Sequence, residues 1–141
     1  MCNLYLDKAK MLLEKTENTC VLCGDQVIIT DKRRGVRPLL DLVESNTQVA
    51  GFAAADKVVG KAAAFLYCLL KIDCLFAKVI SQPALAILDK YQIPVEYETL
   101  VPSIRNRSNT GPCPMEYAVW DTETPETALL QIQTKLKELA N

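Results

Sequence analysis

The first periodicity in the chain runs from residue 3 to 16, where Leu4, Leu6, Met11, Leu12 and Leu13 are interleaved with Lys8, Lys10, Glu14 and Lys15. Apolar positions recurring at helical spacing with charges between them predict an amphipathic first helix. The period then shortens. Thr19 to Cys23 and Gln26 to Thr30 are β-branched runs joined by Gly24-Asp25, and glycine at the first central position predicts a type II′ hairpin between two antiparallel strands. After Lys32-Arg33-Arg34-Gly35-Val36-Arg37, the segment Pro38-Leu39-Leu40-Asp41-Leu42-Val43 reads as a helix with proline at its first position, where a missing N–H does no harm.

Gly51 to Lys71 is rich in alanine and free of proline, which predicts one long helix. Turning about 100° per residue puts Phe65, Val58, Leu69, Ala62, Leu66, Val59, Leu70 and Ala63 on a broad apolar face. Asp56, Lys57, Gly60, Lys61, Ala64, Tyr67, Cys68 and Lys71 fall on the opposite arc. Cys74 to Ile80 then reads as a buried strand, Pro83 to Tyr91 as a helix introduced by Ser81-Gln82, and Val95 to Val101 as another strand. Strand, helix, strand with short connections predicts a parallel right-handed crossover. A loop from Pro102 to Pro112 leads to a helix opening at Cys113-Pro114-Met115-Glu116, and a last helix spans Pro125 to Leu139. The expected fold is α/β, a three-layer α-β-α sandwich around a mixed sheet of about four to five strands. One domain is expected over residues 1–141.

Composition narrows the function. Half the residues are hydrophobic and 23% are charged, a globular balance. A net charge of −1 and a pI near 5.5 supply no basic field for nucleic acid or anionic lipid. The first residues, Met1-Cys2-Asn3-Leu4, lack the basic-then-apolar pattern of an export signal. The longest apolar run, Ala62 to Leu70, is about half of a membrane span. A cytoplasmic protein with no membrane or nucleic-acid partner is expected, and homodimerisation is the default for so small and apolar a domain. Six cysteines (Cys2, Cys20, Cys23, Cys68, Cys74 and Cys113) read mostly as reduced thiols acting as small hydrophobes. Cys20 and Cys23 have the spacing of half a metal site, but in a strand they point to opposite faces. The chain has no histidine. Ser-His, Cys-His and histidine-ligated zinc mechanisms are therefore excluded, leaving carboxylate, lysine, cysteine or tyrosine for proton transfer.

Three segments carry candidate chemistry. Lys57 and Lys61, a turn apart beside Asp56, Gly60 and Ala64, make either an anion clamp or an ordinary solvated stripe. Arg33-Arg34-Gly35-Val36-Arg37-Pro38 joins guanidinium groups to a helix start, either a phosphate or carboxylate site or a solubilising hairpin exit. The polar loop before Cys113 presents Asn106 and Arg107, while Cys113 falls at a helix N-cap with Glu116 in capping position. That arrangement suits either a nucleophilic thiol or a plain helix start.

The strings Arg34-Gly35-Val36-Arg37-Pro38-Leu39-Leu40, Ala55-Asp56-Lys57-Val58-Val59-Gly60-Lys61-Ala62-Ala63-Ala64, Ile104-Arg105-Asn106-Arg107 and Cys113-Pro114-Met115-Glu116 resemble a small prokaryotic domain-of-unknown-function family with a divergent cytidine-deaminase-like fold. Deaminases of that fold place a His/Cys-x-Glu at one core helix and a Pro-Cys-x-x-Cys at the next to bind zinc. The resemblance maps these to Ala55-Asp56-Lys57 and Ser81-Gln82-Pro83-Ala84, neither of which retains a ligand set. No metal site, zinc or other cofactor is therefore expected. The resemblance instead implies a pocket for an anionic, nucleotide-like or phosphorylated small molecule. Arg34, Gly35, Lys61, Ser81, Asn106, Arg107 and Glu116 would bind it. Asp56, Lys57 and Cys113 are the candidates for chemistry, with Lys57 the base or amine nucleophile. The alternative is a non-catalytic, self-associating or partner-binding module with a degenerate pocket.

Overall fold

The computed structural model describes residues 2–106, 108–111 and 113–140. The first helix, α1 (Cys2–Lys15), forms as predicted and buries Leu6, Ala9 and Leu13, while Leu4 and Met11 of the predicted apolar set are exposed. β1 (Cys20–Gly24) and β2 (Val27–Asp31) form the expected antiparallel hairpin. Its register pairs Gly24 with Val27, so the turn residues are Asp25-Gln26, with Gln26 at φ 61°, and not Gly24-Asp25. Gly24 closes the strand for a different reason: the Phe52 ring occupies the space that a Cβ would need. α2 (Arg37–Glu44) follows with Pro38 in its first turn.

The long helix predicted over Gly51 to Lys71 is instead a strand and a helix. β3 (Ala53–Val59) ends at Gly60, and α3 (Lys61–Leu70) begins there. β3 is the central strand, and Ala53, Ala54 and Ala55 are fully buried between layers. A strand covered on both faces shows no polar alternation, so its alanines imitate a buried helix. β4 (Cys74–Ser81), α4 (Gln82–Lys90) and β5 (Val95–Val101) complete the predicted crossover, followed by α5 (Pro114–Ala118) and α6 (Pro125–Ala140).

The sheet order is β2-β1-β3-β4-β5. β1 is antiparallel to β2 and β3, while β3, β4 and β5 are mutually parallel. α1 packs against one face, over Val21, Cys23, Ala53, Ala55 and Phe76. On the other face Leu22, Ala54, Leu75 and Ala77 meet the helices, with Phe65 and Leu66 of α3 at the centre and Ile132 of α6 outside. The result is a mixed five-stranded sheet flanked by helices. Cys20, Cys23, Cys68 and Cys113 are free, whereas Cys74 is disulfide-bonded and so departs from the expected reduced thiol. Among the described residues no helix is long and apolar enough to cross a membrane.

Candidate functional site

β3 and β4 end side by side, Val59 beside Ile80, so α3 and α4 start next to each other at one edge of the sheet. β1 runs the other way and begins at the same edge. There the Lys57 N–H donates to the Thr19 carbonyl at 3.0 Å, and the Thr19 hydroxyl donates to the Arg33 carbonyl at 2.6 Å. This edge is where open α/β sheets place their ligands.

Asp56 lies on β3 with its side chain turned toward α3. Its Oδ2 accepts from the Tyr67 hydroxyl at 2.6 Å and its Oδ1 from the Val58 N–H at 3.3 Å. The single phenolic proton is thereby used, so the Cys20 thiol, 3.4 Å from the Tyr67 oxygen, is the donor in that contact. Burial pushes the Asp56 carboxyl up to about 7, against the pull of Tyr67 and of the Val58 and Lys57 amides. Burial likewise holds Tyr67 and Cys20 well above their ordinary values. Cys20 and Tyr67 are 3% and 0% exposed. The three groups form a sealed chain of hydrogen bonds that can hold a proton but offers no surface to a substrate.

Lys57 is the next residue on the strand and therefore faces the opposite side of the sheet. Asp56 and Lys57 do not meet. The pairing expected from a shared helix face disappears with the helix itself.

At the start of α3, Gly60 offers no side-chain cap. The cap comes from α5: one Glu116 oxygen accepts from the Lys61 N–H at 2.7 Å and the other from the Ala62 N–H at 3.0 Å. Glu116 is thus engaged at α3 and does not cap its own helix as predicted. Gly60 is required by this arrangement, since a Cβ there would stand 2.5 Å from the Glu116 carboxyl carbon. Burial raises the Glu116 carboxyl, while the two amides and Lys61 draw it back down. The side chain of Lys61 reaches away, donating to the Trp120 carbonyl at 2.9 Å. α4 is capped by its own N-cap residue: the buried Ser81 hydroxyl accepts from the Ala84 N–H at 3.2 Å.

The other predicted site residues are dispersed. Arg34 and Gly35 are exposed in the β2–α2 loop, where Gly35 takes φ 77°. Arg33, and not Arg34, holds that loop through Asp31 and Asp41 at 2.8 and 2.7 Å. Asn106 organises its own loop, accepting from the Thr110 N–H at 3.0 Å and donating to the Thr110 hydroxyl at 3.2 Å. Arg107 lies outside the described residues. Cys113 packs half-buried against the main core, and its carbonyl accepts from the Tyr117 N–H at 3.0 Å. Two surface grooves, of about 440 and 570 Å³, lie between α5 and α6 and between α4 and β5, and none of the predicted site residues among the described residues lines either. Among the described residues no three His, Cys, Asp or Glu side chains gather as a metal set. Ala55-Asp56-Lys57, mapped by the resemblance to a helix start, lies on β3, and Ser81-Gln82-Pro83-Ala84 opens α4; of these residues only Asp56 carries a carboxylate, and they do not make a zinc ligand set.

Tyr67 and Cys20 are the partners that sequence reasoning missed. The usable signal was a lone tyrosine in the apolar run Ala62 to Leu70, since a buried phenol needs a hydrogen-bond partner.

A family model described as TM1506, domain of unknown function (DUF1893), matches residues 8–136. A crystal structure of a DUF1893 family protein (TM1506) from Thermotoga maritima shares 29% identity and a TM-score of 0.86, covering 94% of this chain and 90% of that one. No curated protein matches the chain.

Proposed function

The chain belongs to the DUF1893 family, a domain of unknown function, and we propose that it is a non-catalytic module that works by association with another protein chain, a second copy or a partner. We further propose that its fold is a divergent, prokaryotic form of the cytidine-deaminase-like fold in which the former pocket is closed by the protein's own side chains.

One observation carries this reading. The α3 N-terminus, the position at which an anionic ligand would be held by free amides and the helix dipole, is occupied by the Glu116 carboxylate. A bound phosphate there would face a buried carboxylate, and the Lys61 and Ala62 amides are already engaged. The dispersal of Arg34, Lys57 and Lys61 over the loop and the two faces of the sheet supports the same reading, because cations that do not converge cannot clamp one anion. The Asp56, Tyr67 and Cys20 chain is sealed, and its hydrogen bonds are satisfied within the fold.

The test is a thermal-shift panel of nucleotides and sugar phosphates against the wild-type protein. A ligand that binds the folded state alone raises the melting temperature in proportion to RT ln(1 + [L]/Kd). No shift is expected. A saturable shift that disappears in Lys61→Ala would overturn the proposal and restore the anion pocket.

A further inference from the structure

The sheet has two free edges, and they differ. β5 carries Glu96 and Glu98 along its length, with Glu96 paired to Lys10 of α1. Charges of this kind block edge-to-edge pairing. β2, by contrast, reads Val-Ile-Ile-Thr-Asp, with neither proline nor cation in the strand. Val27 and Ile28 are 45% and 46% exposed, one on each face of the sheet because strand neighbours alternate. Among the described residues β1 is the sole pairing partner of β2, so a row of backbone donors and acceptors faces outward.

The ends of this strand are oppositely charged. The turn before it holds Asp25, and Lys32-Arg33-Arg34 follow it. Arg33 is shared between Asp31 and Asp41, while Asp25, Lys32 and Arg34 are exposed. An isologous interface needs a surface complementary to itself under two-fold rotation. Antiparallel pairing of β2 with its own copy meets that need.

We propose that two copies join through β2, antiparallel about a two-fold axis at Ile29, making one continuous sheet across the dimer. Ile29 is the centre of the five-residue strand, so this register overlaps its full length. Ile29 then faces Ile29 of the second copy, Ile28 faces Thr30, and Asp25 comes opposite Arg33, the acidic turn of each copy meeting the basic segment of the other. A rotation perpendicular to the sheet keeps both α1 helices on one side. The proposal rests on the association reading above and names the partner as a second copy.

Sedimentation velocity across the micromolar range is the first measurement, and a reversible dimer is expected. Ile28→Lys buries an unpaired charge at the seam and should weaken association roughly tenfold or more, with the far-UV spectrum and unfolding midpoint of the monomer unchanged because Ile28 is half exposed. Ile29→Cys reports the register. Residues facing each other across a two-fold lie within disulfide reach, so mild oxidation should yield a covalent dimer that wild type and Ile28→Cys do not form. A monomeric wild type, a dimer indifferent to Ile28→Lys, or equal cross-linking from both positions would overturn the proposal. A monomer would still leave association with a different partner standing, whereas a stabilising anion in the panel would remove that broader reading as well.

Discussion

Replacing Asp56 by asparagine tests whether the sealed hydrogen-bond chain governs the pH dependence of stability. The folded protein holds this carboxyl at about 7 against 3.8 in the unfolded chain, chiefly because burial disfavours its charge. The native state therefore binds the proton more tightly. The stabilisation is complete below pH 4 and is lost as pH rises through 7. Between pH 5 and pH 7 the carboxyl is ionised mainly in the unfolded chain, and at about 1.4 kcal/mol per pH unit this makes the wild type about 3 kcal/mol more stable at pH 5 than at pH 8. The chain has no histidine, so no side chain with an ordinary pKa titrates in that window. The other groups facing Asp56, Tyr67 from α3 and Cys20 from β1, are held well above their usual ranges and stay neutral throughout. The amide introduced by Asp56→Asn would keep an acceptor for the Tyr67 hydroxyl without carrying a charge. Urea unfolding of both proteins at pH 5, 6, 7 and 8 measures the effect, and the slope with pH should be largely abolished in Asp56→Asn, with the variant more stable than wild type at pH 8. Glu116, also raised, adds a slope common to both proteins, so their difference isolates Asp56. A wild type whose stability does not change between pH 5 and pH 8, or an Asp56→Asn variant that keeps the full slope, would refute the reasoning.

Two further substitutions probe the α3 start. Glu116→Ala leaves the Lys61 and Ala62 amides without their acceptor and should cost about 2 kcal/mol, read as a lower urea midpoint with faster amide exchange confined to the first turn of α3. Gly60 has an extended backbone, φ −97° and ψ −178°, which alanine can adopt, so any loss on Gly60→Ala comes from the collision with Glu116. That loss should be about 1–3 kcal/mol and should vanish when the same change is made in the Glu116→Ala background, a coupling that a double-mutant cycle measures.

Most elements were legible in the sequence because their signals were local. The amphipathic spacing of α1, the β-branched runs of β1 and β2, and the serine and proline that start α4 each belong to one stretch of chain. The long helix failed because β3 is buried on both faces by α1 and α3, which erases alternation and selects small residues. The remaining local sign was Gly60 after Val58-Val59, and its purpose, room for Glu116, lies 56 residues further on. The candidate site was harder still. A helical wheel gathered Asp56, Lys57 and Lys61 on one arc, yet a strand followed by a helix sends each a different way. The partner of Asp56 turned out to be Tyr67, across a sheet-to-helix contact that no local pattern announces.

The proposed deaminase-like ancestry and the closed start of α3 follow a common physical logic. A helix start beside a strand end leaves amide donors and a positive dipole that must be satisfied by something. In an enzyme the substrate, a metal or water can do so, and the pocket stays open for that purpose. Here α5 supplies the Glu116 carboxylate permanently, and the fold is organised around keeping it there, from the missing Cβ at Gly60 to the burial of Glu116 itself at 5% exposure. An internal ligand of this kind is tethered to the fold, and displacing it means opening the α5–α3 contact. The proposed association edge at β2 is arranged the opposite way, since its outward backbone groups are left open to another chain while the Lys61 and Ala62 amides at the α3 start are satisfied within the fold.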